Sequence, residues 1–304
     1  MIHIETLLMC KDVEVLNITT LKVLNHGLLP GLLFEFQSKE MFLNWFRKRY
    51  SERSNTASRQ LRGILFGQGN RKLIDKATHA LSLSDCYWIK SSDENISFSD
   101  ISPYYNDFWN GEGKYSGEPI PTLYVNGFLT KYWKDKHTLI KKSGSKEILC
   151  SRVAKDLQIS VVDIYETSVG IAVTNFTSDE IMFESAEVSG KLDPEDFTVE
   201  DILSIFGEPG FDMIFFDAII GNGDRHAGNF GFLRNADSGV YVGMAPLFDF
   251  DHAYESNNDN DILIKEVIEL KHGVWADRFD VLIKRAIESD IADDYMKRRI
   301  EALR

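Results

Sequence analysis

Cysteine is scarce in this chain of 304 residues: Cys10, Cys86 and Cys150 are the only three, and they form no CxxC pair. An odd number at wide spacing excludes a disulfide framework and a cysteine zinc site, and three reduced thiols are expected. Proline is scarce as well, seven in all, with only Pro30 in the first ninety residues. No apolar run approaches the ~18 residues of a membrane span. The N-terminus, MIHIETLLMCKDVEV, lacks the basic region, long apolar stretch and small-residue site of a secretory leader. Positive charge is in deficit: 34 Lys and Arg against 47 Asp and Glu, a net −13. That argues against a non-specific nucleic-acid binder and against a protein held by charge on anionic lipid. Neither internal repeats nor low-complexity tracts are visible. These absences together predict a soluble cytoplasmic protein with no membrane attachment and no direct nucleic-acid binding.

What is present is globular: 43% hydrophobic, 12% aromatic and 27% charged residues, in a chain long enough for one large domain or two ordinary ones. Much of residues 1–90 has helical spacing. KEMFLNWFRKRY (39–50) sets Phe42, Trp45, Phe46 and Arg49 at helical intervals. A basic run from Arg47 to Lys72 holds six arginines, at 47, 49, 53, 59, 62 and 71. It is read first as a solvated helix face, and second as a patch that docks something anionic. Residues 91–121 read as a connector whose aromatics, Tyr104, Tyr105, Phe108 and Trp109, pack on a surface.

Strands then take over. TLYVNGFLTKYW and HTLIKK predict two strands about a turn at Lys134–Lys136. KEILCSRVAKDL predicts a helix, and SVVDIYETSVGIAVTNF two short strands. Helices follow from Pro194, then a hairpin about Asn235–Gly239, then amphipathic helices from Asp261. The expected class is α+β, divided as 1–112 (accessory region and connector), 113–180 (small lobe) and 181–304 (helical lobe).

Residues 221–256, GNGDRHAGNFGFLRNADSGVYVGMAPLFDFDHAYES, concentrate the chemistry. Asp224 and Asn229 stand in D-x-x-x-x-N, and Asp249 follows twenty residues after Asn229. Phosphoryl transfer from a nucleotide needs a carboxylate to accept the hydroxyl proton and oxygen ligands to hold Mg²⁺ against the phosphates. Magnesium takes few protein oxygens, so the Asn229 amide and the Asp249 carboxylate suffice. The spacing is that of a kinase catalytic loop, with Asp224 as base, and APLFDF puts Asp249 where a DFG aspartate would sit. His226 is then structural, and Arg225 braces a carboxylate.

On these residues the stretch resembles the catalytic segment of HipA-like kinases, the toxin kinases of bacterial toxin–antitoxin pairs. D-R-H-x-x-N followed by D-F-x is also similar to the phosphoinositide kinases. The first resemblance covers residues 120–255 and faintly 40–90, where a WF-x-x-R helix and LSLSDCYWI look like the accessory region of Gram-positive relatives. It implies a bilobal, protein-kinase-like fold: a small β-rich lobe, a mostly helical C-terminal lobe and an N-terminal, mostly helical accessory segment. No N-terminal β-rich subdomain of the kind that longer family members carry is expected.

The resemblance also implies site residues. Gly127 is the turn over the phosphates, with Lys131 nearby. Lys141 is the nucleotide lysine, with Lys142 as its rival, since a strand alternates faces and only one of the two can enter the cleft. Glu147 pairs with that lysine, and Val173, Thr174, Asn175 and Phe176 form the adenine hinge. Tyr124 stands where family members often carry a phosphorylatable serine. The implied activity is ATP- and Mg²⁺-dependent serine/threonine protein kinase, with a protein substrate and, for a toxin, a DNA-binding antitoxin partner.

Three alternatives stay open. A lipid or small-molecule kinase would use the same motif, although the segment after Asp251, HAYESNNDNDILIKE, is acidic and polar. A two-metal phosphohydrolase would use Asp249, Asp251 and His252 with Asp224 and His226. A non-enzymatic regulator would use the fold as a binding module.

Overall fold

FDMIFFDAII carries apolar residues on every face and just two aspartates, a pattern that fits a helix surrounded by protein. In the computed structural model, which describes residues 5–49, 79–106, 131–142, 144–255 and 261–304, this helix is the axis of the C-terminal lobe. It spans Glu208–Ile220, and every residue from Gly210 to Ile220 is buried. Proline in its first turn fits the missing donor there. Gly221 ends it in the left-handed conformation, with φ +64°. A preceding helix, Val199–Phe206, starts with a capping box between Thr198 and Asp201. Helices Ile262–Leu270, Ala276–Glu288 and Asp294–Leu303 complete this lobe, and their buried faces join one apolar core with the buried helix.

Three antiparallel sheets surround the helices. In chain order the strands are β1 Thr6–Cys10, β2 Val13–Asn17, β3 Lys22–Val23, β4 Tyr87–Ser91, β5 Lys131–Asp135, β6 Thr138–Lys141, β7 Ile164–Thr167, β8 Gly170–Thr174, β9 Ile181–Ser185, β10 Gly231–Asn235 and β11 Tyr241–Met244. The small lobe is the sheet β5-β6-β8-β7. Helix Ser145–Asp156 packs against it, with Cys150, Val153 and Ala154 buried. The second sheet, β11-β10-β9, lies in the C-terminal lobe and contains the hairpin β10–β11. The α+β class with a small sheet lobe and a helical lobe is as expected.

Among its described residues the N-terminal segment shows less helix than expected. Those residues are built on a four-stranded sheet, β3-β2-β1-β4. Only Lys39–Arg49 and the short Phe98–Ile101 are α-helical there. The physical reason is twofold. Strand β1 is buried along Leu7–Cys10 on both faces, so it shows no alternation. Its partner β4 lies about eighty residues away, paired Thr6↔Ser91 through Cys10↔Tyr87. Residues 107–130 and most of the basic run fall outside the described residues, and so do Phe108 and Trp109. Tyr104 of the connector is buried and donates to the Leu83 carbonyl at 2.8 Å. The three cysteines are buried and free, and no helix among the described residues is long and apolar enough to cross a membrane.

Arg234 on β10 joins the N-terminal sheet to the C-terminal lobe. Its guanidinium is fully buried and donates to the carbonyls of Gly239 (2.6 Å), Leu29 (2.7 Å) and Gly27 (2.9 Å), and to the Tyr87 hydroxyl (2.9 Å). Glu184 stands 3.6 Å away as counter-charge. A buried cation with all these acceptors fixes one docking geometry.

Candidate active site

Strand β6 and the helix after it place a lysine and a glutamate face to face. Lys141 Nζ donates to Glu147 Oε1 (3.0 Å) and Oε2 (2.8 Å), and to Asp249 Oδ1 (2.6 Å). Lys141 is 3% exposed and Glu147 fully buried, while Lys142 is exposed. Alternation along the strand therefore turns Lys141, and not its neighbour, inward. Gly144 makes room for the pair. Its φ is +132°, and a Cβ there would stand 2.5 Å from Glu147 Oε1.

Asp249 follows Leu247, whose N–H bonds the Ser160 carbonyl at 2.9 Å. It holds a left-handed backbone, φ +60°, a conformation that costs about 1–3 kcal/mol for a non-glycine residue and concentrates at functional sites. Two bonds retain it: the Lys141 pair, and the Phe250 N–H donating to Glu147 Oε2 at 3.2 Å. Burial opposes ionisation of Asp249, but Lys141, Lys131 and Arg225 outweigh it and hold the carboxyl at about 2. Burial also opposes the charge on Lys141, but Asp249 and Glu147 raise its pKa. Glu147 is raised by burial despite its lysine.

Lys131 opens onto the same cavity from β5. It is 8% exposed, and no hydrogen bond or ion pair holds its ammonium among the described residues. Burial lowers its pKa, with Asp249 opposing and Lys141 adding to the fall. The cavity wall continues through Val173, Thr174, Asn175 and Phe176, the expected hinge, and through Asn229 and Asp249. Phe176, Phe183 and Phe248 meet at 5.4–5.6 Å between ring centroids, an apolar slot suited to a flat ring. Gly127 and Tyr124 lie outside the described residues.

Asp224 sits apart from this buried set. Its side chain is 47% exposed, 3.5 Å from His252 Nε2. His252 Nδ1 lies 2.8 Å from Glu255 Oε2. That bond is the main reason the histidine pKa is raised. Asn229 Nδ2 approaches the Asp224 carbonyl at 3.4 Å, and the Asn229 N–H bonds the His226 carbonyl at 2.8 Å. His226 Nδ1 accepts from the Gly228 N–H at 3.1 Å, so it ties the loop to itself. Arg225 braces a carboxylate that sequence reasoning did not find. It grips Asp217 with two bonds of 2.9 Å and donates to the carbonyls of Asn229 (3.1 Å) and Phe248 (2.9 Å). One guanidinium thereby fixes the loop of Asp224 against the segment of Asp249. The signal was there: Asp217 is an acid in an apolar helix, and a buried acid needs a partner.

Sequence reasoning also missed the share of the N-terminal segment in the cavity. Lys48, Ser82, Ser84 and Asp85 line it. The Leu83 carbonyl accepts from Thr177 Oγ1 and, at 3.4 Å, from Asn175 Nδ2, which seats this loop against the hinge. An amide oxygen from Asn229 and a carboxylate from Asp249 are hard donors on one wall, which fits Mg²⁺. Among the described residues no group of three or more His, Cys, Asp or Glu is arranged to hold a metal ion.

No model of a known protein family matches the chain. The serine/threonine-protein kinase CtkA of Helicobacter pylori (strain J99 / ATCC 700824) is 24% identical over 181 residues, 51% of this chain and 54% of that protein. The chain spans about half the length of this curated relative. The crystal structure of the Helicobacter pylori proinflammatory kinase CtkA overlaps at a TM-score of 0.35, with 15% identity, over 57% of this chain and 87% of that one. That overlap is too small to bear on the fold. HipA of Shewanella oneidensis MR-1, solved in complex with HipB and its operator DNA, matches over 98% of this chain and 95% of its own, with 13% identity and a TM-score of 0.56. That match takes in nearly the whole of both chains, and it shows that this chain has the HipA-like, protein-kinase-like fold.

Proposed function

We propose that the chain is an ATP- and Mg²⁺-dependent phosphotransferase that acts on a serine or threonine hydroxyl of a protein. One observation carries the reading. Two buried lysines, Lys131 and Lys141, face one cavity opposite Asn229 and Asp249, and Lys131 has no carboxylate partner among the described residues. A buried ammonium with no direct ion-pair partner is costly. A ligand with several negative charges, such as a nucleotide polyphosphate, removes that cost.

The roles follow from position. Lys141, oriented by Glu147, binds phosphate oxygens, and Lys131 binds beside it. The aromatic slot and residues 173–176 take the base. Asn229 and Asp249 would hold Mg²⁺, which neutralises charge on the phosphates when bound. Asp224, at the open end, accepts the hydroxyl proton. The hydroxyl oxygen bonds to the γ-phosphorus as the bond to the β–γ bridging oxygen breaks, and ADP leaves with that electron pair. A lipid or small-molecule kinase is the second reading, since the site reads a hydroxyl and not its carrier.

The division at 1–112, 113–180 and 181–304 belongs to this proposal. So do cytoplasmic residence and a DNA-binding antitoxin partner, the latter on the HipA complex alone. The test is transfer of labelled γ-phosphate from ATP with Mg²⁺, followed into protein, lipid and free phosphate. Label on serine or threonine supports the protein kinase, and label in lipid supports the second reading. Absence of nucleotide binding removes both.

A further inference from the structure

The basic run that begins at Arg47 has no role in this mechanism, yet one of its residues reaches the cavity. Lys48 lies in the last turn of helix Lys39–Arg49. That helix is anchored through Phe42, Trp45 and Phe46 in the N-terminal core. Lys48 Nζ lies 3.3 Å from Glu187 Oε1, with the two side chains 23% and 30% exposed. Glu187 stands against the catalytic loop: its N–H bonds the Ala227 carbonyl at 3.0 Å. A Cβ on Gly228 would be 3.6 Å from its other carboxylate oxygen. Lys48, Gly228, Asn229 and Asp249 line the same cavity as Lys131 and Lys141.

On the kinase reading above, we propose that Lys48 is a cation the N-terminal segment supplies in cis to the transferring phosphoryl group, leaving Glu187 for phosphate oxygens. The exchange is favourable in sign. A single, partly exposed carboxylate at 3.3 Å is a weak partner. A phosphoryl group in transfer spreads more negative charge over three oxygens. Lys131 and Lys141 approach from the small lobe, so Lys48 supplies positive charge from the wall beside the catalytic loop. No proton moves in this step. The ammonium only changes anionic partner, and ADP and the phosphorylated acceptor leave as before. The N-terminal sheet then becomes part of the catalytic unit, since its docking through Arg234 sets where Lys48 stands.

Three variants of the full chain test this: Lys48→Met, Lys48→Arg and Glu187→Gln. Single-turnover loss of the γ-phosphate from labelled Mg²⁺–ATP is measured beside nucleotide affinity by calorimetry. Lys48→Met should slow transfer about 100-fold, the usual loss for one transition-state donor, with affinity within about two-fold. Lys48→Arg should recover most of the rate. Glu187→Gln breaks the ion pair but keeps the cation, so it should transfer at least as fast as the parent chain. Transfer by Lys48→Met at the parent rate overturns the inference. So does an equal loss in Glu187→Gln, because the pair would then be only structural. A parent chain that binds and transfers normally separates these failures from failure of the kinase reading. A parent chain that binds no nucleotide overturns both.

Discussion

Two carboxylates joined through Arg225 stand in opposite environments. Asp249 is mostly shielded, its side chain 17% exposed. It is ion-paired at 2.6 Å to a lysine that Glu147 also holds, and its carboxyl is held down at about 2. Asp224 is half exposed, with a half-exposed histidine at 3.5 Å. The first site is finished before any ligand arrives. The second is open. On the proposed kinase reading, the first would hold a nucleotide, the same molecule in every turnover, which benefits from preorganised charge. The second would admit an acceptor hydroxyl, whose access requires solvent exposure. The arginine between them, Arg225, keeps the two at fixed separation while leaving their environments distinct.

The largest expected effect comes from the buried side. Glu147→Ala removes one partner of a dry ion pair and the acceptor of the Phe250 N–H. Loss of one buried partner costs about 3–5 kcal/mol. Urea denaturation should show that loss, and phosphate transfer should fall with it. A change under about 0.5 kcal/mol, the range of ordinary surface substitutions, would mean the pair is not the buried anchor described here.

Asp224→Ala comes next and should separate the two measures. Transfer is expected to drop by about 10²–10⁴, the usual worth of a general base. Stability should stay within about 0.5 kcal/mol, as for a surface site.

The smallest effect is in pH. Burial opposes the charge on Asp249, and Lys141 overcomes it, so its folded pKa lies below the ordinary 3.8. Its contribution to stability is complete above 3.8 and fades as pH falls through about 2. His252 runs the other way. Glu255 raises it above the ordinary 6.5, so its contribution is present below 6.5 and fades as pH rises through the higher folded value. Melting temperatures of His252→Gln and the parent chain should differ slightly at about pH 6 and converge by about pH 9. Both side chains facing His252 are about half exposed, so a large shift would contradict the open character of this end.

How much of this was legible in the sequence follows from what each feature depends on. That Asn229 and Asp249 share one cavity follows a spacing the chain carries locally, while the roles given to them and to Asp224 belong to the proposed function. Strands β5 to β8 and the buried helix were legible from alternation and from a nearly continuous apolar pattern. The N-terminal sheet was not, because β1 lacks alternation and pairs with a strand about eighty residues on. Asp217, Lys48 and Asp85 were missed for a related reason. Each acts through a neighbour distant in sequence: Asp217 through Arg225, Lys48 through Glu187, and Asp85 through the cavity it lines. Tertiary placement gives such residues their meaning, and a single sequence does not carry it.

The division of labour between the two ends is tested most directly with Asp224→Ala. ATP affinity in the presence of Mg²⁺ and single-turnover transfer of the γ-phosphate are measured on the same preparation. The buried end should bind nucleotide as the parent chain does, while transfer falls at least about 100-fold. Transfer at the parent rate, or a loss of affinity that matches the loss of transfer, would contradict the account.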